Sequence, residues 1–97
     1  MHIQQLNFIH LLYFWVVATD GSITRAATRL HLTQPTISSQ LGALESALGQ
    51  PLFMRRGKRL LLNNLGRQVF RYADGIFGLG QELLGIVRAQ QPKLGMH

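Results

Sequence analysis

Ile23-Thr-Arg-Ala-Ala-Thr-Arg-Leu-His-Leu-Thr-Gln-Pro-Thr-Ile-Ser-Ser-Gln-Leu-Gly-Ala-Leu-Glu-Ser-Ala-Leu48 is the stretch whose reading decides the fold. Ile23, Ala26, Ala27 and Leu30 recur at helical spacing, and so do Ile37, Leu41, Leu44 and Leu48, each set forming one apolar stripe. Between them Thr33 is placed to cap the second helix, and Pro35 falls in its first turn, where a missing N–H costs nothing. The adjacent alanines let one helix cross the other closely. These are the needs of a helix-turn-helix, whose second helix carries Gln34, Thr36, Ser38 and Ser39 outward toward a DNA major groove. An ordinary pair of core helices satisfies the same pattern, so DNA binding requires support from elsewhere in the chain.

That support starts with charge. The chain has 97 residues, enough for one small domain that buries about two thirds of its unfolded surface. Ten Lys and Arg against four Asp and Glu give a net charge of +6, which favours a polyanionic partner, either nucleic acid or anionic lipid. No acid lies between Glu45 and Asp74, whereas Arg55, Arg56, Lys58, Arg59, Arg67 and Arg71 all do. The lack of cysteine excludes disulfides and thiolate metal sites.

Upstream, Leu6 to Ala18 is apolar almost all round. No Lys or Arg precedes Arg25, against a signal peptide, and the run falls short of the ~20 apolar residues of a membrane span. A helix buried on more than one side fits. Asp20-Gly21-Ser22 closes it, with Ser22 capping the next helix.

Downstream, Gly49 ends the second helix of the pair. Pro51-Leu52-Phe53 begins one extended segment, Leu60-Leu61-Leu62 forms another, and Met54 to Arg59 joins them through Gly57. This is a short basic β-hairpin, a wing, whose Arg55, Arg56, Lys58 and Arg59 suit phosphates or a narrow minor groove. A solvated charged loop is the bland alternative. Asn63 then caps a long helix that runs to about Gln90 and is stopped by Pro92. Leu65, Val69, Tyr72, Ile76, Leu79, Leu83 and Ile86 form a heptad seam on it, and Phe70, Ala73, Phe77, Gly80, Leu84 and Val87 form a second stripe. Two stripes call for two neighbours, the domain's own core and a partner subunit. Tyr13 and Trp15 are expected to meet the partner's long helix, with Ile76, Leu79, Leu83 and Ile86 completing the dimer contact.

Little in the sequence suggests catalysis. The four carboxylates Asp20, Glu45, Asp74 and Glu82 are not paired, and His2, His10, His31 and His97 have no ligand spacing. The expectation is no enzyme, no cofactor and no metal.

Taken together, Ala26-Ala27-x-x-Leu30-x-Leu32-Thr33-Gln34-Pro35-x-Ile37-Ser38, Leu41-x-x-Leu44-Glu45-x-x-Leu48-Gly49, Leu52-Phe53-x-Arg55 and Leu62-x-x-x-Gly66 resemble the N-terminal domain of LysR-type transcriptional regulators, over about residues 5 to 90. Leu11-x-Tyr13-Phe14-Trp15, Ala43-Leu44-Glu45 and Arg71-Tyr72-Ala73-Asp74 look most like that family's sodium/proton antiporter regulator branch. The resemblance implies a mainly α fold: a winged helix-turn-helix over residues 1–62, a linker and dimerisation helix over 63–91, and a tail over 92–97. It implies a cytoplasmic regulator that binds partly palindromic double-stranded promoter DNA as a homodimer, or a tetramer where a C-terminal effector domain follows. Residues 1–97 include no such domain, so the chain is expected to be either the DNA-binding half of a longer protein, the favoured reading, or an unusually short member.

One departure matters. Many members carry Arg at the position of Ser39 and basic residues at those of Gly42 and Ala43, whereas Gln34 to Leu48 here has no cation. Base readout then falls to Gln34, Pro35, Thr36, Ser38 and Ser39. Backbone contact falls to Ser22, Arg25, Arg29 and Thr33 together with the wing cations. A basic membrane-surface module or a protein-interaction module is the rival reading; no membrane is expected under the DNA-binding one.

Overall fold

The computed structural model describes residues 2–57 and 59–90. After a single 3-10 turn at Ile3–Gln5 come α1 (Phe8–Asp20), α2 (Ile23–Leu30), α3 (Gln34–Leu48), the strands β1 (Phe53–Arg56) and β2 (Arg59–Leu62), and α4 (Asn64–Gln90). This is the expected winged helix-turn-helix with a long helix attached.

Local chemistry sets each boundary. Helix α1 starts at Phe8, two residues later than expected, because the Asn7 Oδ1 accepts the Ile9 and His10 N–H groups at 2.9 and 3.1 Å. It runs on to Asp20 and stops at Gly21, which takes the left-handed conformation with φ 69° and returns its N–H to the Val17 carbonyl. Ser22 caps α2, its Oγ accepting the Arg25 N–H at 3.2 Å, and Thr33 caps α3 through the Thr36 N–H at 3.3 Å. Between α2 and α3 the left-handed turn residue is His31, at φ 57°. Histidine is among the few side-chain-bearing residues enriched in that region.

Ala26 and Ala27 are buried where α2 meets α1 and α3, as a close crossing requires. Around them Leu11, Phe14, Val17, Ile37, Leu41, Leu44 and Leu52 form the core, and Phe53 lays its ring 5.4 Å from that of Phe14. Phe53 thereby ties the wing to the helices. The hairpin is antiparallel, pairing Phe53 with Leu62 and Arg56 with Arg59. The connection is shorter than the Met54–Arg59 segment expected to span it: Met54, Arg55 and Arg56 lie in β1, Arg59 lies in β2, and Gly57 turns at φ 63°. Ladder pairing outcompetes a wide loop here because every residue from Phe53 to Arg56 finds a partner. Lys58, Pro92 and the tail 92–97 lie outside the described residues.

A strap of backbone at Pro51–Phe53 joins α3, the wing and α4. The Glu45 carboxylate on α3 accepts the Leu52 and Phe53 N–H groups at 2.6 and 3.3 Å. From the other side Asn63 donates its backbone N–H to the Leu52 carbonyl at 2.9 Å and its Nδ2 to the Pro51 carbonyl at 2.9 Å. Asn63 Oδ1 meanwhile caps α4 through the Gly66 N–H at 2.7 Å. Helix α4 approaches so closely at Gly66 that a Cβ there would collide with the Leu52 carbonyl.

The two stripes of α4 divide as two neighbours require, though not along their whole length. Leu65 and Val69, the start of the heptad seam, pack with Phe70, Ala73 and Phe77 on this chain's own core. From Tyr72 onward the seam is bare: Leu79 is 67% exposed, Leu83 59% and Ile86 61%. The projecting helix gives the molecule extents of 56 × 31 × 19 Å.

Candidate nucleic-acid interface

The residues expected to contact DNA come from three elements, and the fold brings Ser22, Gln34, Ser38, Arg55 and Arg59 to one cleft of about 450 Å³, whereas Arg25, Arg29, Thr33, Pro35, Thr36, Ser39 and Arg56 do not line it. Ser22 and Thr24 enter from the first turn of α2, Gln34 and Ser38 from α3, and Arg55 and Arg59 from the wing. Gln34, Pro35, Ser38 and Ser39 are all exposed on the first turns of α3, opposite buried Ile37, Leu41 and Leu44. Thr36 differs: it is half-buried, and its hydroxyl lies 2.8 Å from that of Thr33. That pair rigidifies the helix start and leaves the Thr36 Oγ1 already partnered.

Arg25 is exposed on α2, and Arg29 pairs with Asp20 at 3.0 Å while its side chain stays 60% exposed. The pair is worth at most ~1 kcal/mol at such a surface position. Its larger effect is to neutralise an acid on this side of the molecule. Glu45 is likewise engaged with backbone N–H groups, so neither carboxylate stands free beside the cleft. Arg55 and Arg56 face opposite sides of the wing, since side chains alternate along a strand. Arg55 lines the α3 side with Ser38, and Arg56 lines a second cleft with Arg67.

Thr24 was not singled out from the sequence, and Arg67 was counted among the cations of the acid-free stretch but given no place in the site. Thr24 has a recoverable signal, because it lies one residue beyond the start of α2, whose cap was identified. Arg67 lacks one, since its guanidinium is placed by the Leu62 carbonyl and the Asn64 Oδ1, at 3.3 and 3.2 Å, a geometry that depends on how α4 leaves the wing.

The dimerisation candidates fall into two groups. Ile76, Leu79, Leu83 and Ile86 are exposed. Tyr13 is half-buried against the core, and Trp15, expected to meet a partner's long helix, lies on its own α4. There its Nε1 donates to Asp74 Oδ1 at 3.0 Å, and its ring is 5.3 Å from that of Phe77. A partner's α4 and the chain's own carry the same residues, so sequence spacing alone does not distinguish them.

Comparison with known proteins decides the family. Residues 8–67 match the bacterial regulatory helix-turn-helix proteins of the lysR family. The chain is 47% identical over 87 residues to the transcriptional activator protein NhaR of Escherichia coli strain K12, covering 90% of this chain. This chain belongs to the LysR family. Among solved structures, a BenM DBD–catB site 1 DNA complex superposes with a TM-score of 0.77 at 28% identity, covering 86% of this chain and 93% of that one. Full-length CbnR complexed with its target DNA gives a TM-score of 0.71 at 36% identity, over 86% of this chain and 29% of that one. The LysR-type chain described here spans 29% of the length of NhaR. Its fold is that of the LysR DNA-binding domains, and its named relatives are regulators of transcription.

Proposed function

We propose that this LysR-type domain is the DNA-reading module of a cytoplasmic bacterial transcriptional regulator, acting on partly palindromic double-stranded promoter DNA as a homodimer paired through α4. The cleft between α2, α3 and the wing carries this reading. It sets hydroxyl and amide groups of α3 beside the wing cations Arg55 and Arg59, with the nearby acids Asp20 and Glu45 already engaged. An α-helix fits a major groove, and cations flanking it hold phosphates or enter the adjacent minor groove. Gln34, Pro35, Ser38 and Ser39 read base edges, with Thr36 holding the helix start. Ser22, Arg25, Arg29, Thr33 and the wing cations position the backbone. The winged helix-turn-helix forms the reading unit and α4 the dimer helix. A C-terminal effector domain, where one follows, extends the assembly to a tetramer. The BenM and CbnR structures, each with DNA, support the same use of the fold.

No helix among the described residues is long and apolar enough to cross a membrane. One rival is surface binding to anionic lipid, which uses the same charge but no particular sequence; a protein-interaction module built on α4 is the other, and it likewise predicts no preferred duplex. A selection of duplexes from a randomised pool, followed by gel-shift titration of the enriched site with anionic vesicles as competitor, separates DNA reading from both. The expected result is a discrete enriched sequence whose complex survives the vesicles. No enrichment, together with loss of all DNA binding to vesicles, overturns the proposal.

A further inference from the structure

The Trp15 indole and the Asp74 carboxylate form the most C-terminal directed contact between α4 and the winged domain. Trp15 Nε1 donates to Asp74 Oδ1 at 3.0 Å, and the indole lies against Phe77 with ring centroids 5.3 Å apart at 32°. Every residue from Gln81 to Gln90 is exposed. Nearer the start of α4, Ala73 is buried and Gly66 abuts the Leu52 carbonyl, so that end is fixed by packing. At Phe77 the packing thins. Trp15, Phe77 and Gly80 there border an open apolar groove of about 390 Å³, which leaves room for the helix to swing. A tilted ring pair such as this one tolerates a range of angles, whereas a hydrogen bond to a charged acceptor is directional. Asp74 is exposed, and in the described residues its carboxylate has this indole as its hydrogen-bond partner.

The geometry points to Trp15 and Asp74 as a positioning pair that fixes the angle of α4 on the winged domain and so selects the spacing of DNA half-sites that a dimer can bridge. This rests on the proposed pairing through α4. From Phe77 the helix projects about 20 Å at ~1.5 Å per residue. A swing of about 10° moves its far end by roughly 3.5 Å, close to one base-pair step of ~3.4 Å. Two domains joined through such helices translate a small error at the joint into a whole step of half-site separation. Neither residue touches DNA in this assignment. Both act through the placement of α3.

The test is spacing rather than affinity. Duplexes are selected from a randomised pool by the unmodified chain and by W15F, D74A and D74N, and the separation between inverted half-sites is read from the enriched sequences. W15F keeps an aromatic ring but loses the N–H. D74A removes an exposed side chain and leaves the core intact. D74N retains an oxygen that accepts the indole N–H. The unmodified chain and D74N are expected to enrich one spacing, whereas W15F and D74A shift or broaden it by at least one base pair with the half-site sequence unchanged. If W15F and D74A enrich the same single spacing as the unmodified chain, merely with less DNA bound, the pair is structural only and the inference is overturned. If the unmodified chain enriches isolated half-sites with no paired spacing, the dimer reading falls, and this inference with it.

Discussion

Two glycines of α4 show how differently one residue type is used. At Gly66 the Leu52 carbonyl occupies the place of a Cβ and a Leu62 methyl crowds it, whereas at Gly78 nothing lies within 4 Å of one. Gly66→Ala is therefore expected to destabilise the fold by about 1–3 kcal/mol, since backbone must move to admit the methyl. Gly78→Ala is expected to stabilise it by about 0.5–1 kcal/mol through helix propensity. Denaturant unfolding of the two variants checks both signs. On the reading surface the same scale governs specificity. Gln34 and Ser38 are exposed on α3, and each has groups that pair with base edges. Gln34→Ala or Ser38→Ala is expected to cost ~1–3 kcal/mol on the selected site and little on random DNA. Equal losses on both, measured by titration at one salt concentration, reassign these residues to backbone contact.

Among the elements, the Pro51–Phe53 strap determines where the wing stands relative to α3. Glu45 holds two of its N–H groups, and Asn63 holds carbonyls of Pro51 and Leu52. Glu45→Ala leaves two part-buried donors without their charged acceptor, at an expected cost of ~1.5–3 kcal/mol in stability. Arg55 and Arg59 keep their charges in that variant. Its binding to the selected site is accordingly expected to weaken while the slope of affinity against salt stays unchanged, because the count of phosphate contacts is unaltered. A flattened slope in a salt titration shows instead that the wing has left the DNA. This strap also marks where the sequence stops being legible. Ser22, Thr33 and Asn63 could be read as caps because a cap acts within three residues of itself. The stripes of α2 and α3 were legible because helical periodicity is local. Glu45 looked like an ordinary acid on a helix, since its partners lie across a turn that only the folded chain closes. The wing was legible as a basic hairpin, but not its strand limits, because Arg55, Arg56 and Arg59 carry no pattern distinguishing ladder from loop. Trp15 was read as an interface residue because the apolar run Leu6 to Ala18 has more apolar surface than one side of a helix needs, and Asp74, seven residues short of the bare end of α4, carried no signal of pairing with it.

At the scale of the whole molecule the issue is what covers the far half of α4. Tyr72, Ile76, Leu79, Leu83 and Ile86 lie on one side of it and are all exposed, and Leu84 and Val87 widen the apolar surface. Soluble chains rarely leave so continuous a patch bare, and a heptad seam fits a twin helix better than it fits water. A twofold pairing also places two α3 helices at a fixed separation, which a palindromic site requires. Leu83 lies well beyond the last buried residue, Ala73, so a charge there leaves the winged domain intact. Leu83→Glu is expected to convert the chain to a monomer in sedimentation and to preserve its helical circular dichroism up to the loss of some α4 signal. It is also expected to weaken binding to the paired site by ~10²–10⁴-fold, the gain that linking two half-site contacts supplies. Binding to a single half-site should change little. The opposite outcome is equally readable: an unmodified chain that sediments as a monomer at tens of micromolar, roughly a free energy of 6 kcal/mol, assigns the bare seam to a different neighbour.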